Sequence, residues 1–339
     1  MIRRKILCFG ELLFRISPAA NADIANKQPM LLYMGGAEAN VATALAAWNV
    51  PVKYCTILPD NFMSRHVINY LEYKGIYTSS IHYGGKRIGV YYLERGADLK
   101  GSMVYDREGS SFSELKRGVI DWDRVLQDVE WFNFSAISPA LNEQVADACL
   151  EALEACVSRG IKISVDLNYR SRLWKYDKLP VEIMPALVEH CDLVMGNLWS
   201  ANTLLGIHVD EHIHDHRSKQ AYLDHAKATS EAIIQAFPKC KTVANTFRFD
   251  TEGDQLLYYT TLYNNGEFCN SKEFSAGKVI DRSGSGDCFM AGLIYGLYHH
   301  HPNEQLLNYA TAAAFGKLQE MGDATMQDIF TVNTQLPGE

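Results

Sequence analysis

The feature that most constrains this chain is an alternation that runs along most of its length. Short apolar runs rich in β-formers are followed by amphipathic stretches of helical period. Strands of that kind, separated by helices, pack as a doubly wound, mostly parallel sheet flanked by helices, an α/β fold. Candidate core strands are Ile6 to Phe9, Val52 to Ile57, Trp131 to Phe134, Ile161 to Asp166, Leu193 to Met195 and Thr242 to Asn245. Helices are expected over the Ala-rich Glu38 to Trp48, over Asn61 to Lys74 after a Pro-Asp turn, and over Asn142 to Ser158, which stops before Gly160.

Two segments, about 11–35 and 86–113, break the alternation and read as strands and turns with no helix. Leu12, Phe14 and Ile16 alternate in the first, and Ile88, Val90 and Tyr92 in the second, so each offers one face to a partner strand or ligand. The expectation is one α/β domain over 1–330 with a small β-sheet inserted in it from these two segments. The 339 residues suit one large domain with an appendage.

Charge and cysteine usage narrow the class of function. Lys plus Arg number 32 against 40 Asp plus Glu, a net charge of −8, so neither nucleic acid nor an anionic membrane is an expected partner. An anionic ligand then needs a local cluster of donors. The eight cysteines form no C-x-x-C pair and no zinc or disulfide spacing, which suits a reducing compartment. Arg3, Arg4 and Lys5 with Ala20-Asn21-Ala22 imitate a signal peptide, but Glu11 and Arg15 interrupt the apolar run and leave it too short. No window reaches the ~18 apolar residues of a bilayer span, and a cytoplasmic enzyme or binding protein is expected. The tract His208 to His216 carries four histidines and three acids. It reads as a solvated surface loop, with a metal site as the alternative.

Chemistry concentrates in DRSGSGDCFMAGLIYGL, from Asp281 to Leu297. Gly284, Ser285 and Gly286 form a small-residue turn before an apolar helix, and N–H groups at a helix N-terminus suit a phosphate. A carboxylate beside an anion hole is repelled by the anion, so Asp287 makes sense as the base that takes a proton from an attacking hydroxyl. On geometry alone it reads equally as a helix cap. No G-x-x-x-x-G-K-[ST] loop is present and the G-x-G lacks a third glycine, which argues against a Walker ATPase or a Rossmann dehydrogenase.

This segment resembles the D-T-x-G-A-G-D signature of the ribokinase-like (PfkB) carbohydrate kinases. Four others are similar to the family's motifs in the same order: ILCFGELLFRISP at the start, MGGAEANVATALAAW (34–48), VDLNYRSRLW (165–174) and VMGNLWSANTLLG (194–206). Within the family, residues 87–115 look most like those of 2-keto-3-deoxygluconate kinases, through Tyr91, Tyr105 and Arg107.

The resemblance implies a ribokinase-like fold whose small sheet is a lid, and transfer of phosphate from ATP, with Mg²⁺, to the terminal hydroxyl of a sugar acid. It makes Asp287 the base and Gly284, Ser285 and Gly286 the anion hole. Sugar contacts would come from Gly35, Gly36, Asn40, Tyr91, Tyr105, Arg107 and Arg170, the two arginines meeting the carboxylate. Nucleotide contacts would come from Asn168, Asn197, Thr246, Arg248, Gly284 and Gly286, with Asp166 and Asn168 at the C-terminal end of a parallel strand, where α/β sheets bind ligands. Homodimers paired through the lid are implied too, because a small isolated sheet leaves an apolar face. A monovalent cation, the metal ligands and the exact sugar stay open, as do two alternatives: a neutral-sugar kinase and a catalytically silent sugar-acid binding protein. Departures from the family are Arg282 for its threonine, Ser285 for its alanine, Ser200 for a glutamate that helps to hold the Mg-phosphate assembly, and Arg248 where a glycine is usual.

Overall fold

The computed structural model describes residues 4–19, 29–94, 102–210, 212–213, 218–250, 256–276 and 279–336. In chain order the first elements are β1 (Lys5–Phe9), β2 (Leu13–Pro18), β3 (Met30–Gly35), α1 (Ala37–Ala47), β4 (Val52–Leu58), α2 (Phe62–Tyr73), β5 (Tyr77–Tyr83), β6 (Gly89–Leu93) and β7 (Met103–Asp106). Next come α3 (Trp122–Val125), β8 (Val129–Ser135), α4 (Glu143–Val157), β9 (Lys162–Asp166), α5 (Pro180–Val188), β10 (Leu193–Gly196), α6 (Leu198–Leu205) and α7 (Lys219–Ala236). The last are β11 (Thr242–Asp250), β12 (Leu256–Asn264), β13 (Glu267–Asn270), β14 (Phe274–Ala276), α8 (Ser285–Tyr298), α9 (Asn303–Lys317) and α10 (Ile329–Thr334).

Strand β1 shows why the apolar runs lack alternation. Ile6 and Cys8 enter one core with residues of α1, α8 and α9, whereas Leu7 and Phe9 enter a second with residues of α4 and α5. A strand covered on both faces has no polar side to show. The large sheet has ten strands in the order β13-β12-β11-β10-β9-β8-β1-β4-β5, with β14 also on β12. From β11 to β5 every pair is parallel, and β12 turns back antiparallel at the edge. The expected core strands and helices are all present to within a residue or two, except that β11 runs on to Asp250. That extension is held by its antiparallel pairing with β12, a long-range partner the local pattern does not announce.

The second sheet, in the order β3-β2-β6-β7, is built from the two segments that break the alternation. In register across it, Leu32, Ile16, Tyr92 and Val104 form one row on the outer face. Three of these are well exposed: Leu32 54%, Tyr92 42% and Val104 58%. The inner face carries Leu13, Arg15, Tyr33, Tyr91 and Tyr105.

The expectation of a solvated loop at His208 to His216 needs correction for part of the tract. Val209 and Ile213 are buried against Tyr222 and Phe247, since apolar residues four apart reach the same core; residues 211 and 214–217 lie outside the described residues. No helix among the described residues is long and apolar enough to cross a membrane.

Candidate active site

The C-terminal ends of β9, β10 and β11, the start of α8 and the inner face of the small sheet enclose a cleft of about 1650 Å³. The end of the cleft suited to an anion is the start of α8. Gly284 is the N-cap in the left-handed region (φ 76°), and no side chain caps the helix, so its first N–H groups stay available where Gly284, Ser285 and Gly286 line the cleft. A Cβ on Gly284 would overlap the Asp323 carbonyl, which makes glycine obligatory there. Ser285 turns its hydroxyl away, donating to the Ala314 carbonyl at 3.0 Å.

Asp287 is not a cap. It sits in the first turn of α8, buried, and accepts a hydrogen bond at 2.7 Å from Asn40 Nδ2 in α1. Burial raises its pKa to about 6, against the opposing pull of the Asn40 bond and the Arg170 charge. Two other buried carboxyls share this pole. Asp166, at the end of β9, is pushed up to about 8 by burial and by Asp287. Glu38 is pushed up to about 7 by burial, although Ser135 donates to it at 2.6 Å. Asp287 is raised least of the three, since Asn40 and Arg170 favour its ionised form.

The proposed sugar-side residues come together unevenly. Gly36 opens α1 at φ 124°, with the Glu11 carbonyl 2.5 Å from where a Cβ would sit, and it lines the cleft beside Asn40. Gly35 lies off the cleft wall, beneath Tyr91 and the Asp323 carboxylate. Tyr91 and Tyr105 line the cleft 6.3 Å apart, and Tyr91 donates to Asp323 Oδ2 at 2.7 Å. Arg107 also lines it, but its Nε and Nη2 grip the buried Glu11 carboxylate at 2.6 and 2.5 Å. Arg170 is exposed in the cleft, its Nη1 donating to the Tyr169 carbonyl. On the other side, Asn168 donates to Asp166, Asn197 caps α6, and Thr246 and Arg248 line the wall from β11.

Ser200 is committed elsewhere. Its Oγ accepts from Asn197 N at 2.9 Å while Asn197 Oδ1 accepts from Ser200 N at 2.9 Å, a reciprocal cap that closes the start of α6. Among the described residues no three acids, histidines or cysteines are placed to hold a metal ion.

Residues 3–329 match the family described as pfkB family carbohydrate kinase. The chain belongs to that family. Among solved pfkB relatives, the 2-dehydro-3-deoxygluconokinase of Thermotoga maritima superposes with a TM-score of 0.90 at 31% identity, covering 99% of this chain and 100% of that one. The 2-dehydro-3-deoxygalactonokinase of Haloferax volcanii is 26% identical over 94% of this chain and 92% of its own length. The 5-dehydro-2-deoxygluconokinase of Geobacillus thermodenitrificans is 25% identical over 83% of this chain and 77% of its own. As a pfkB carbohydrate kinase, the chain is an enzyme of a family that uses ATP.

Sequence reasoning missed a buried ion network that ties the small sheet to the segment before α8. Arg15, fully buried on β2, donates from Nη1 to Asp323 Oδ1 at 2.7 Å and to Ser283 Oγ at 3.1 Å, and from Nη2 to Asp281 Oδ2 at 3.0 Å. Its guanidinium lies 4.1 Å over the Tyr33 ring. The signal was present, since Glu11 and Arg15 are charges inside an apolar stretch of sequence, and a buried charge requires a partner. Nothing local marks Asp323.

Proposed function

We propose that this pfkB kinase transfers the γ-phosphoryl group of ATP to the terminal hydroxyl of 2-keto-3-deoxygluconate or a closely related keto-deoxy sugar acid, in the cytoplasm. The observation that carries the reading is Asp287: a buried carboxylate with its pKa near 6, held by Asn40, one helical turn from an uncapped helix N-terminus. The sugar hydroxyl gives its proton to Asp287 as its oxygen bonds to the γ-phosphorus, and ADP leaves. Backbone N–H groups of Gly284, Ser285 and Gly286 stabilise the charge on the transferring group. Bound Mg²⁺ supplies Lewis-acid charge to the phosphates. Asn168, Asn197, Thr246 and Arg248 hold the nucleotide.

The names of the relatives support a sugar acid, and so does the exposed Arg170, a planar donor suited to a carboxylate. Arg107 completes the pair through the nitrogen not engaged by Glu11, with Tyr91 and Tyr105 bonding hydroxyls. The small sheet acts as a lid that excludes water. Its outer row of Leu32, Tyr92 and Val104 is covered by the same row of a second copy, giving a homodimer. One observation favours a neutral-sugar kinase as the second reading: Glu11 already neutralises Arg107. Coupled ADP-release assays over a panel of sugar acids and neutral sugars decide between them. A keto-deoxy sugar acid with kcat/KM at least a hundredfold above fructose and ribose is expected, and the reverse order refutes the reading.

A further inference from the structure

Two of the departures from the family pattern, Arg248 and Arg282, lie far apart in sequence and side by side in the cleft. On β11 the alternation sends Phe247 and Phe249 to one face, where they pack with Tyr222 and Tyr259. Thr246, Arg248 and Asp250 take the opposite face. Arg282, two residues before Gly284, reaches this face and engages Asp250 with both terminal nitrogens, Nη2 to Oδ1 at 2.5 Å and Nη1 to Oδ2 at 3.3 Å. Its Nε is buried and has no hydrogen-bond partner among the described residues. Arg248 is exposed in the cleft and makes no ion pair or hydrogen bond with a described residue. The pKa of Arg248 is lowered by the protein crowded around it and then by the nearby Arg282 charge, with Arg170 adding to the repulsion.

Arg248 feels the charges of Arg282 and Arg170, and Asp250 is engaged by Arg282; like charges repel one another, and an anion relieves that repulsion. The wall adjoins the uncapped N-terminus of α8. At the neighbouring position where the family has a glutamate for the metal, Ser200 is tied into the α6 cap and has no charge to offer.

We propose that Arg248 and Arg282 form a two-guanidinium cradle for the terminal phosphates of the donor nucleotide, so that side-chain charge carries much of the binding that the metal assembly carries elsewhere in the family. Asp250 fixes the plane of Arg282 where its side chain lines the cleft. Arg248, unpaired, closes on the phosphate from the strand. The inference rests on the kinase reading and specifies how its donor is held.

The experiment is calorimetric titration of the intact protein with ATP and with AMP, each in excess EDTA and again in Mg²⁺. Metal-free ATP should bind within about tenfold of Mg-ATP. Arg248→Gln and Arg282→Gln should each weaken metal-free ATP by about ten- to a hundredfold, the loss of a charge-assisted bond, and leave AMP unchanged. Arg248 engages no described residue, so its variant keeps the fold, and circular dichroism verifies this for both. Wild-type protein that binds Mg-ATP but not metal-free ATP overturns the inference and leaves the kinase reading intact. So do variants that bind ATP as wild type does, and variants that lose AMP equally, which places the arginines at the nucleoside. Failure of wild type to bind either form of ATP overturns both.

Discussion

Replacing Asn40 with Ala tests the central claim about Asp287, because one hydrogen bond sets the position of the acid limb. Asn40 Nδ2 donates at 2.7 Å to a buried carboxylate, and a bond of that kind to a charged group favours the ionised form by about 1.5–3 kcal/mol. At about 1.4 kcal/mol per pK unit, its loss raises the Asp287 pKa by roughly 1–2 units. The starting value is about 6, so the variant should titrate near 7–8. A base works only when deprotonated, and activity is therefore lost as pH falls through that pKa. At pH 7 the ionised fraction drops from about nine-tenths to between roughly a half and a tenth, and kcat/KM should fall about two- to tenfold. The assay is kcat/KM for the sugar from pH 5 to 9, with the protein confirmed folded at each end. Activity should recover by pH 9, apart from any constant factor from a lost sugar contact. An acid limb that stays at its wild-type pH, or a loss that does not shrink at high pH, would refute the assignment of Asp287 as the base whose charge Asn40 supports.

Further outcomes follow from the same geometry. Asp287→Asn should lower kcat by at least about a hundredfold while sugar binding, measured by calorimetry, persists; near-normal turnover would remove Asp287 from the chemistry. Arg107→Ala strands the buried Glu11 carboxylate and should cost about 3–5 kcal/mol in denaturant unfolding. Arg170→Ala, at an exposed position, should leave stability unchanged and raise KM for the sugar acid by roughly one to three orders of magnitude; equal KM losses on a neutral sugar would remove its link to the carboxylate. Leu32→Asp places a charge in the outer apolar row and should yield a monomer in sedimentation if that row is the dimer interface; an unchanged sedimentation coefficient would place any contact between copies elsewhere.

The sequence exposes what is written locally. Buried strands such as Ile6 to Phe9 show as unbroken apolar runs, and the turn into α8 shows as glycines before an apolar helix, because both are consequences of neighbours within a dozen residues. The antiparallel edge of β12 to β14 does not show, since its register depends on β11. The motif around Arg107 gives no sign of its pairing with Glu11, a contact across 96 residues. Asp323 and Asp281 became visible only once Arg15 was placed between them. The capping alternative for Asp287 could not be settled from spacing. It required the position of Asn40 on a different helix.

The Arg15 network also limits how this molecule can admit its substrates. To swing the small sheet away from its root, Arg15 would have to part from both Asp281 and Asp323, and Tyr91 from Asp323, all buried side chains. Breaking a buried ion pair costs about 3–5 kcal/mol, so a form opened at that root would hold less than about 1% of the population. The hinge therefore cannot lie at the strand that carries Arg15. The far edge of the sheet, β7, is held more loosely: the Met103 carbonyl accepts an exposed hydrogen bond from Arg172. The inner face of the small sheet is thus tied to the segment before α8, and its outer edge is the part least restrained.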